Sequence, residues 1–460
     1  MTPELYSFVD VLAVAKIHPF YVPDIQYPPD AETIRVVRER AAKEPTKVDL
    51  RSQPLRRKKD LYTTIERLVN DPSPRNTYRH SVYASITGGG VGSTPLFFAT
   101  DVYENRRHRA RFGQFVRATG LVEHGDWVLT THNAGGLYRS LDLTLEILEN
   151  AGASVLGAGN LMPPAEVTWL LTTYHINVLT GDSSSVVQIV HYLSTLSGEE
   201  RDKIKLDKII YTSEVLTAAQ RALIKSVLGP VKICSILASA EAGPWAVSSP
   251  DLTGMETVTS HADFVFDTRT MLVEILPLSS SEDGCVPDPL PQGEQGIIVQ
   301  TSLSRLRNPL VRYDTGDIGS LHPLPEHARA IVPDADWQYL QVLRLHGRDH
   351  RFSFDWDGEY LEFDGLTSLM NNEECGILQW QIILDKMEPS LESSLEVRLL
   401  CSPRSELLLS EEAVVKRIRT FVHAYSANEH RFRINFVQGL NGFERSSTGR
   451  KVIKFVDRYN

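Results

Sequence analysis

The stretch WVLTTHNAGGLYRSLDLTLEILENAGASVLGAG, residues 127–159, decides the fold class. Trp127-Val128-Leu129-Thr130 is a short apolar run of the kind that forms a buried strand. A longer amphipathic stretch over 138–151 follows, with the spacing of a helix. Ser154-Val155-Leu156 then returns to a short apolar run. The same alternation continues downstream. Asn177–Thr180 and Lys208–Tyr211 read as further strands, and 164–174, 183–196 and 217–228 as helices, with one more helix upstream at 101–119. Strands alternating with helices predict a parallel sheet covered by helices on its faces.

Moving outward, the pattern changes. Phe264–Phe266, Leu272–Leu276 and Gly296–Gln300 alternate in the manner of antiparallel strands around a Pro- and acid-rich loop at 277–295. After Gly347 the chain restarts with strands, a helix near 411–426 and a polar Gly/Ser/Thr/Arg segment. Residues 1 to about 80 read as helices, Ala31–Lys43 among them, broken by Pro23, Pro28 and Pro29. The expectation is an α/β protein with mixed, largely parallel sheets flanked by helices and a small β subdomain. A large N-terminal domain, 1–346, precedes a small α+β C-terminal domain, 347–460. No internal repeat is present.

A net charge of −10 over 460 residues disfavours general binding to phosphate backbones, so no nucleic-acid partner is expected. The basic run Arg56-Arg57-Lys58-Lys59 reads as the solvated start of a helix. Cys234, Cys285, Cys375 and Cys401 are far apart and fit free thiols in a reducing compartment. No run approaches 18 apolar residues and no basic leader opens the chain, so neither a membrane span nor a signal peptide is expected, and the cytoplasm is the expected location.

Five segments carry chemistry. In Ser85–Leu96, glycines and hydroxyl residues (Thr87, Gly88, Gly89, Gly90, Gly92, Ser93, Thr94) suit a loop that turns backbone N–H groups onto a phosphate. It is not the G-x-x-x-x-G-K-[ST] pattern, since it has no lysine. In Asn308–Asp317, an aspartate at a tight turn can accept both hydroxyls of a ribose. In Ser239–Pro244, Glu241 emerges beside glycine where a carboxylate can hold Mg²⁺ against phosphates. The others are Gly347-Arg348-Asp349-His350 and the basic loop Arg445–Lys451. Each alone reads as well as a solvated turn. Their order is the stronger signal.

As an ordered set the five segments resemble the adenylate-forming superfamily of acyl-CoA synthetases, luciferases and peptide-synthetase adenylation domains, and within it the phenylacetate–CoA ligase branch. His18-Pro19-Phe20-Tyr21, Lys59-Asp60-Leu61, Gly125-Asp126 and Gly135-Gly136-Leu137-Tyr138 add to the likeness. The resemblance implies ATP-dependent activation of a carboxylic acid, aryl or small and planar, as its acyl-AMP, followed by transfer to a thiol, coenzyme A first. An amine or carrier-protein acceptor stays open, as does a nucleotide-binding pseudoenzyme. It further implies that residues 87–95 cradle the ATP phosphates, that Glu241 binds Mg²⁺, that Asp317 holds the ribose and that Arg348 contacts ribose or phosphate. Ser213-Glu214 and Leu237-Ala238-Ser239 would line the adenine and acyl pockets, with Gly136 and Tyr138 against the acid. Asp349 and His350 are the hinge candidates of a mobile C-terminal lid. A homodimer is the habit of the branch.

The sequence departs from the family pattern in four places. Thr94 stands where a lysine precedes the proline of the Gly-rich loop. Leu237-Ala238 replaces Tyr-Gly. Arg450 occupies the position of the catalytic lysine, with Lys451 one place late, and the two cations are not interchangeable. The stretch after the glutamate motif, Ala246-Val247-Ser248-Ser249, has no cysteine, so no structural zinc is expected and His261 reads as an ordinary histidine.

Overall fold

The computed structural model describes residues 5–43, 49–86, 97–135, 137–213, 215–216, 218–254, 261–278, 287–348, 353–390, 392–401, 409–444 and 452–459. These divide into two compact units, one up to Gly347 and one from Arg348 onward.

The large unit is built on an eleven-stranded sheet and a separate hairpin. The hairpin pairs β1 (Val82–Ile86) with β2 (Phe97–Asp101), antiparallel. The parallel strands of the sheet are β3 (Trp127–Thr130), β4 (Ser154–Gly157), β5 (Val178–Asp182), β6 (Lys208–Thr212) and β7 (Lys232–Ser239). The antiparallel half adds β8 (Gly243–Ser248), β9 (Ala262–Asp267), β10 (Met271–Leu276), β11 (Gly296–Ser302), β12 (Tyr313–Pro323) and β13 (Leu340–Arg348). The spatial order is β10-β11-β12-β13-β9-β8-β7-β6-β5-β3-β4. The antiparallel segments therefore continue the parallel sheet edge to edge.

Side-chain alternation explains why the central strands read as unbroken apolar runs. Val128, Val178 and Ile210 pack on one face against Phe112, Val116, Ile147 and Leu148 of the helices Val102–Ala118 and Ser140–Ala151. Their neighbours Leu129 and Leu179 turn to the other face, under the helices Pro164–Thr173 and Ser183–Ser194. Ile209 and Ile233 do the same beside Val190 and Ile224. The N-terminal helices Phe8–Ala15 and Lys58–Asn70 close a third core over Trp245, Phe264, Phe266 and Ile298. Inside the sheet, Lys208 Nζ meets Asp126 Oδ2 at 2.5 Å, a nearly buried ion pair joining β6 to the start of β3.

The small unit pairs β14 (Ser353–Trp356) with β15 (Glu359–Glu362) and builds a four-stranded sheet, β18-β17-β16-β19. Here β16 (Ile377–Met387) and β17 (Glu392–Cys401) form a long antiparallel hairpin. β18 (Phe432–Phe436) runs parallel to β17, and β19 (Phe455–Asp457) parallel to β16. Trp356, Ile382, Val397 and Leu399 fill its core against Val414 and Ile418 of the helix Glu411–Phe421. No helix among the described residues is long and apolar enough to cross a membrane. Cys234, Cys375 and Cys401 are free thiols.

Three histidines of the large unit are buried and neutral. His18 accepts from Phe20 N at Nδ1, 3.1 Å, so its Nε2–H donates to Asn308 Oδ1 at 3.1 Å. Burial pulls the His18 and His108 rings down to about 3, and the His132 ring to about 4. Each is a base with a folded value below its unfolded 6.5. Its stabilising share is complete above that value and is lost as pH falls toward the folded one. We expect urea stability to drop below pH 6.5 by about 1.4 kcal/mol per pH unit per group. In His18→Gln the slope should flatten by one group's share; an unchanged slope in that variant would show that His18 is not a contributor.

Candidate active site

In open α/β sheets ligands bind at the carboxyl ends of the parallel strands. At that edge β3 delivers Thr131 and His132, β5 delivers Asp182, β6 delivers Thr212 and Ser213, and β7 delivers the turn that holds Glu241. His132 bridges two strand ends: Nδ1 lies 2.9 Å from Thr130 Oγ1 and Nε2 lies 2.9 Å from Thr212 Oγ1. Thr131 Oγ1 donates to Thr180 O at 3.2 Å and lies 2.9 Å from Ser185 Oγ. It also lies 2.3 Å from where a Cβ on Gly181 would stand, so only glycine fits there. Asp182 caps the helix Ser183–Ser194 by accepting from Ser185 N.

Glu241 sits in the tight β7–β8 turn and is 7% exposed. Ser239 Oγ accepts from Ala242 N at 3.0 Å inside the turn. Gly243 follows with φ 72°, and a Cβ there would meet His108 Cε1 at 2.8 Å and Arg305 Nη2 at 3.2 Å. The floor of the turn is therefore occupied. Glu241 is approached from helix Lys58–Asn70, where the Tyr62 hydroxyl donates to its Oε1 at 2.7 Å. Arg305 lies below, 2% exposed, with Nη1 on Thr100 Oγ1, its guanidinium 5.3 Å from the Phe98 ring centre and Nε without a hydrogen-bond partner among the described residues. Burial lowers it to about 10, against the pull of Glu104 and Glu241, so it remains a cation.

The Asn308–Asp317 segment is shaped by a bulge. Val299 pairs with Asp314 and Ile297 with Ile318, so Ile298 alone faces Thr315, Gly316 and Asp317. Asp314 Oδ1 accepts from Gly316 N, and Thr315 Oγ1 accepts from Asp317 N, both at 3.0 Å. Thr315 also donates to Ile298 O at 3.1 Å. Asp317 is thereby presented half-buried beyond the bulge. Before it, Arg312 is wholly buried with φ 46° and forms a two-pronged ion pair with Glu274, at 2.9 and 3.1 Å.

One helix touches both motifs. Arg56 is stitched between Arg312 and Asp314 by backbone hydrogen bonds of 2.9 Å each. Arg57 Nε lies 3.8 Å from Asp314 Oδ2, and Tyr62 reaches Glu241. Arg57 and Tyr62 are separated by about 7.5 Å of helix rise. The basic run is thus a helix start, as its composition predicts, but its first residue is a rung between two loops.

The remaining expected site residues fall as follows. Tyr138 bridges Gly135 and is 48% exposed. Leu237 is half-buried, while Ala238 and Ser239 are exposed at the irregular end of the β7–β8 pairing. Ser213 has φ 75°. Arg348 ends β13, after Gly347 at φ 118° with open space around it. Thr87, Gly88, Gly89, Gly90, Gly92, Ser93, Thr94, Gly136, Glu214, Asp349, His350, Arg450 and Lys451 lie outside the described residues. His261 stands opposite His346, ring centres 5.7 Å apart. Among the described residues no cluster of three or more His, Cys, Asp or Glu is arranged to hold a metal. Tyr62, His132 and Arg305 escape a reading of the sequence. Tyr62 meets its partner 179 residues away, and no local pattern marks such a pair.

A scan against protein-family models finds no match, and a search of curated proteins finds none. Solved structures do match. A 2-hydroxyisobutyryl-CoA ligase in complex with 2-HIB-AMP and CoA, in the thioesterification state, aligns with TM-score 0.64 and 16% identity over 98% of this chain and 88% of its own. The amide bond synthetase McbA from Marinactinospora thermotolerans aligns with TM-score 0.52 and 13% identity over 82% of this chain and 68% of its own. The chain has the fold of the adenylate-forming enzymes. In this chain the carboxyl edge of the parallel strands and the β11–β12 bulge belong to one sheet, and the segment from Arg56 to Tyr62 touches both. The likeness reaches the fold; the superfamily and its phenylacetate–CoA ligase branch rest on the motifs.

Proposed function

We propose that this chain is an ATP-dependent ligase that activates a carboxylic acid as its acyl-AMP and passes the acyl group to a thiol, coenzyme A first. The observation that carries the reading is that one segment, residues 57–62, touches both Glu241 and Asp314, the residue that opens the Thr315–Asp317 bulge. The ordered motifs and the shared fold support it.

A carboxylate is a poor acyl donor because its leaving group is oxide. Attack of the acid on the α-phosphorus, with loss of pyrophosphate, makes a mixed anhydride whose leaving group is AMP. Asp317 would accept the ribose hydroxyls and so orient the nucleotide. The N–H groups and hydroxyls of residues 87–95 would take the phosphate oxygens, and Arg348 would add a positive contact. Arg450 or Lys451, carried on the C-terminal unit as a lid hinged at Asp349 or His350, would balance charge growing on the α-phosphoryl group. Leu237, Ser213-Glu214 and the 136–138 segment would shape the base and acid pockets.

The donor set at Glu241 fits magnesium. It offers one hard, nearly buried carboxylate with a single described hydrogen bond from a neutral hydroxyl. Mg²⁺ is commonly held by one or two carboxylates, with substrate phosphates and water filling the other positions. When bound there it would neutralise phosphate charge.

The test is pyrophosphate release with a panel of aryl and short acyl acids, with and without CoA. Acid-dependent release together with a CoA thioester is the expected result. Release that yields an amide or a carrier-bound product instead moves the acceptor and keeps the adenylation. Tight ATP binding with no release for any acid would make the chain a nucleotide-binding pseudoenzyme.

A further inference from the structure

Glu241 must present its carboxylate in one direction to be useful, and its own turn does not fix that direction. The Ser239–Ala242 hydrogen bond shapes the backbone, and His108 and Arg305 fill the space beneath Gly243. The described hydrogen bond to the carboxylate comes from another element, the Tyr62 hydroxyl at 2.7 Å. Arg305 acts on Glu241 through space, with no ion pair between them within 4.0 Å among the described residues. Tyr62 is itself held. Its ring packs on the core beneath helix Lys58–Asn70, and the Lys58 ammonium stands 5.5 Å from the ring centre.

We infer that Tyr62 is a positioning residue for Glu241, fixing the carboxylate so that its remaining lone pairs face magnesium–ATP. This rests on the reading of Glu241 given above. The chemistry favours a phenol in this role. A carboxylate has about four lone-pair sites, and Tyr62 occupies one. Because the donor is neutral, it directs the group without cancelling the charge a cation needs. Glu274 makes the contrast: Arg312 grips both its oxygens, which leaves it a structural ion pair.

The experiment is calorimetric binding of ATP to the full chain, once with Mg²⁺ and once with EDTA, for wild type, Tyr62→Phe, Glu241→Gln and the double variant. The phenylalanine keeps the ring and its packing, and thermal melting checks the fold. Tyr62→Phe should weaken ATP binding about tenfold in Mg²⁺, the scale of losing a partner that orients a metal ligand. In EDTA the change should be under about twofold, and Tyr62→Phe added to Glu241→Gln should cost nothing more. Equal weakening in Mg²⁺ and EDTA, or additive effects in the double variant, would overturn the inference. If Glu241→Gln alters the Mg²⁺ dependence while Tyr62→Phe does not, the inference fails and the role of Glu241 stands. If Glu241→Gln itself leaves Mg²⁺ dependence unchanged, both fall.

Discussion

Arg312→Leu should cost about 3–5 kcal/mol of folding stability, the range for removing one partner of a buried ion pair. The guanidinium is wholly buried and bonds both oxygens of Glu274, and its Nη1 donates to Gln53 O at 3.0 Å. Burial alone already raises the Glu274 carboxyl above its ordinary value, and Arg312 pulls the other way. With leucine in place, Glu274 keeps the burial and loses the compensation. The backbone adds to the loss, because φ 46° at residue 312 is held by Thr301 Oγ1 and by the rung to Arg56, and a branched apolar side chain gains nothing there. Urea unfolding of Arg312→Leu measures the effect. Glu274→Leu in the same chain should restore part of it, since the penalty lies in the orphaned charge more than in the missing bond. Raising salt should change little, because a buried pair is poorly screened. A loss below about 1 kcal/mol would mean that water reaches this pair and that the bulge beside it is not anchored by it.

The parts of this molecule legible in its sequence are those governed by local rules. Strands β5 and β6 stand out because both faces are covered, which favours apolar runs such as Ile209-Ile210-Tyr211, whereas β4 at the sheet edge is only partly buried. Helix ends are softer. A helix over 411–426 is expected from spacing, yet it closes at Phe421, and Asn428 Oδ1 then takes the Tyr425 N–H in a turn. The two halves of the sheet are joined by β7 and β8, which pair antiparallel around the Glu241 turn. Within the antiparallel half, β13 completes the order between β12 and β9, with Leu340–Leu345 beside Ala262–Asp267, a pairing that has no local signal. In the candidate site, Glu241 and the Thr-Gly-Asp turn are marked by the order of the motifs along the chain, not by residue type alone. The means of holding them is not marked, because Tyr62, Arg57 and His132 work through partners tens to hundreds of residues away. Tyr138 is marked only by the family resemblance, and among the described residues its ring lies half in solvent.

Glu241→Ala and Asp317→Ala should each lower adenylation at least tenfold, about 1.4 kcal/mol in the barrier. Their signatures should differ, because their surroundings differ. Glu241 is nearly buried and bonded by Tyr62, and in the proposed reading it meets charge that is redistributed as pyrophosphate leaves. Its loss should depress kcat as well as raise KM for magnesium–ATP, as expected of an interaction that strengthens in the transition state. Asp317 follows the Thr315 hydroxyl on a bulge where three residues face one, and in the proposed reading it meets the ribose, which does not react. Its loss should appear chiefly as a higher KM for ATP, with the acid's KM unmoved. Initial rates of acid-dependent pyrophosphate release over a grid of ATP and Mg²⁺ concentrations separate the two patterns. Near wild-type rates in both variants would remove the site. A pure kcat effect at Asp317 would place it against the reacting phosphate and not the ribose.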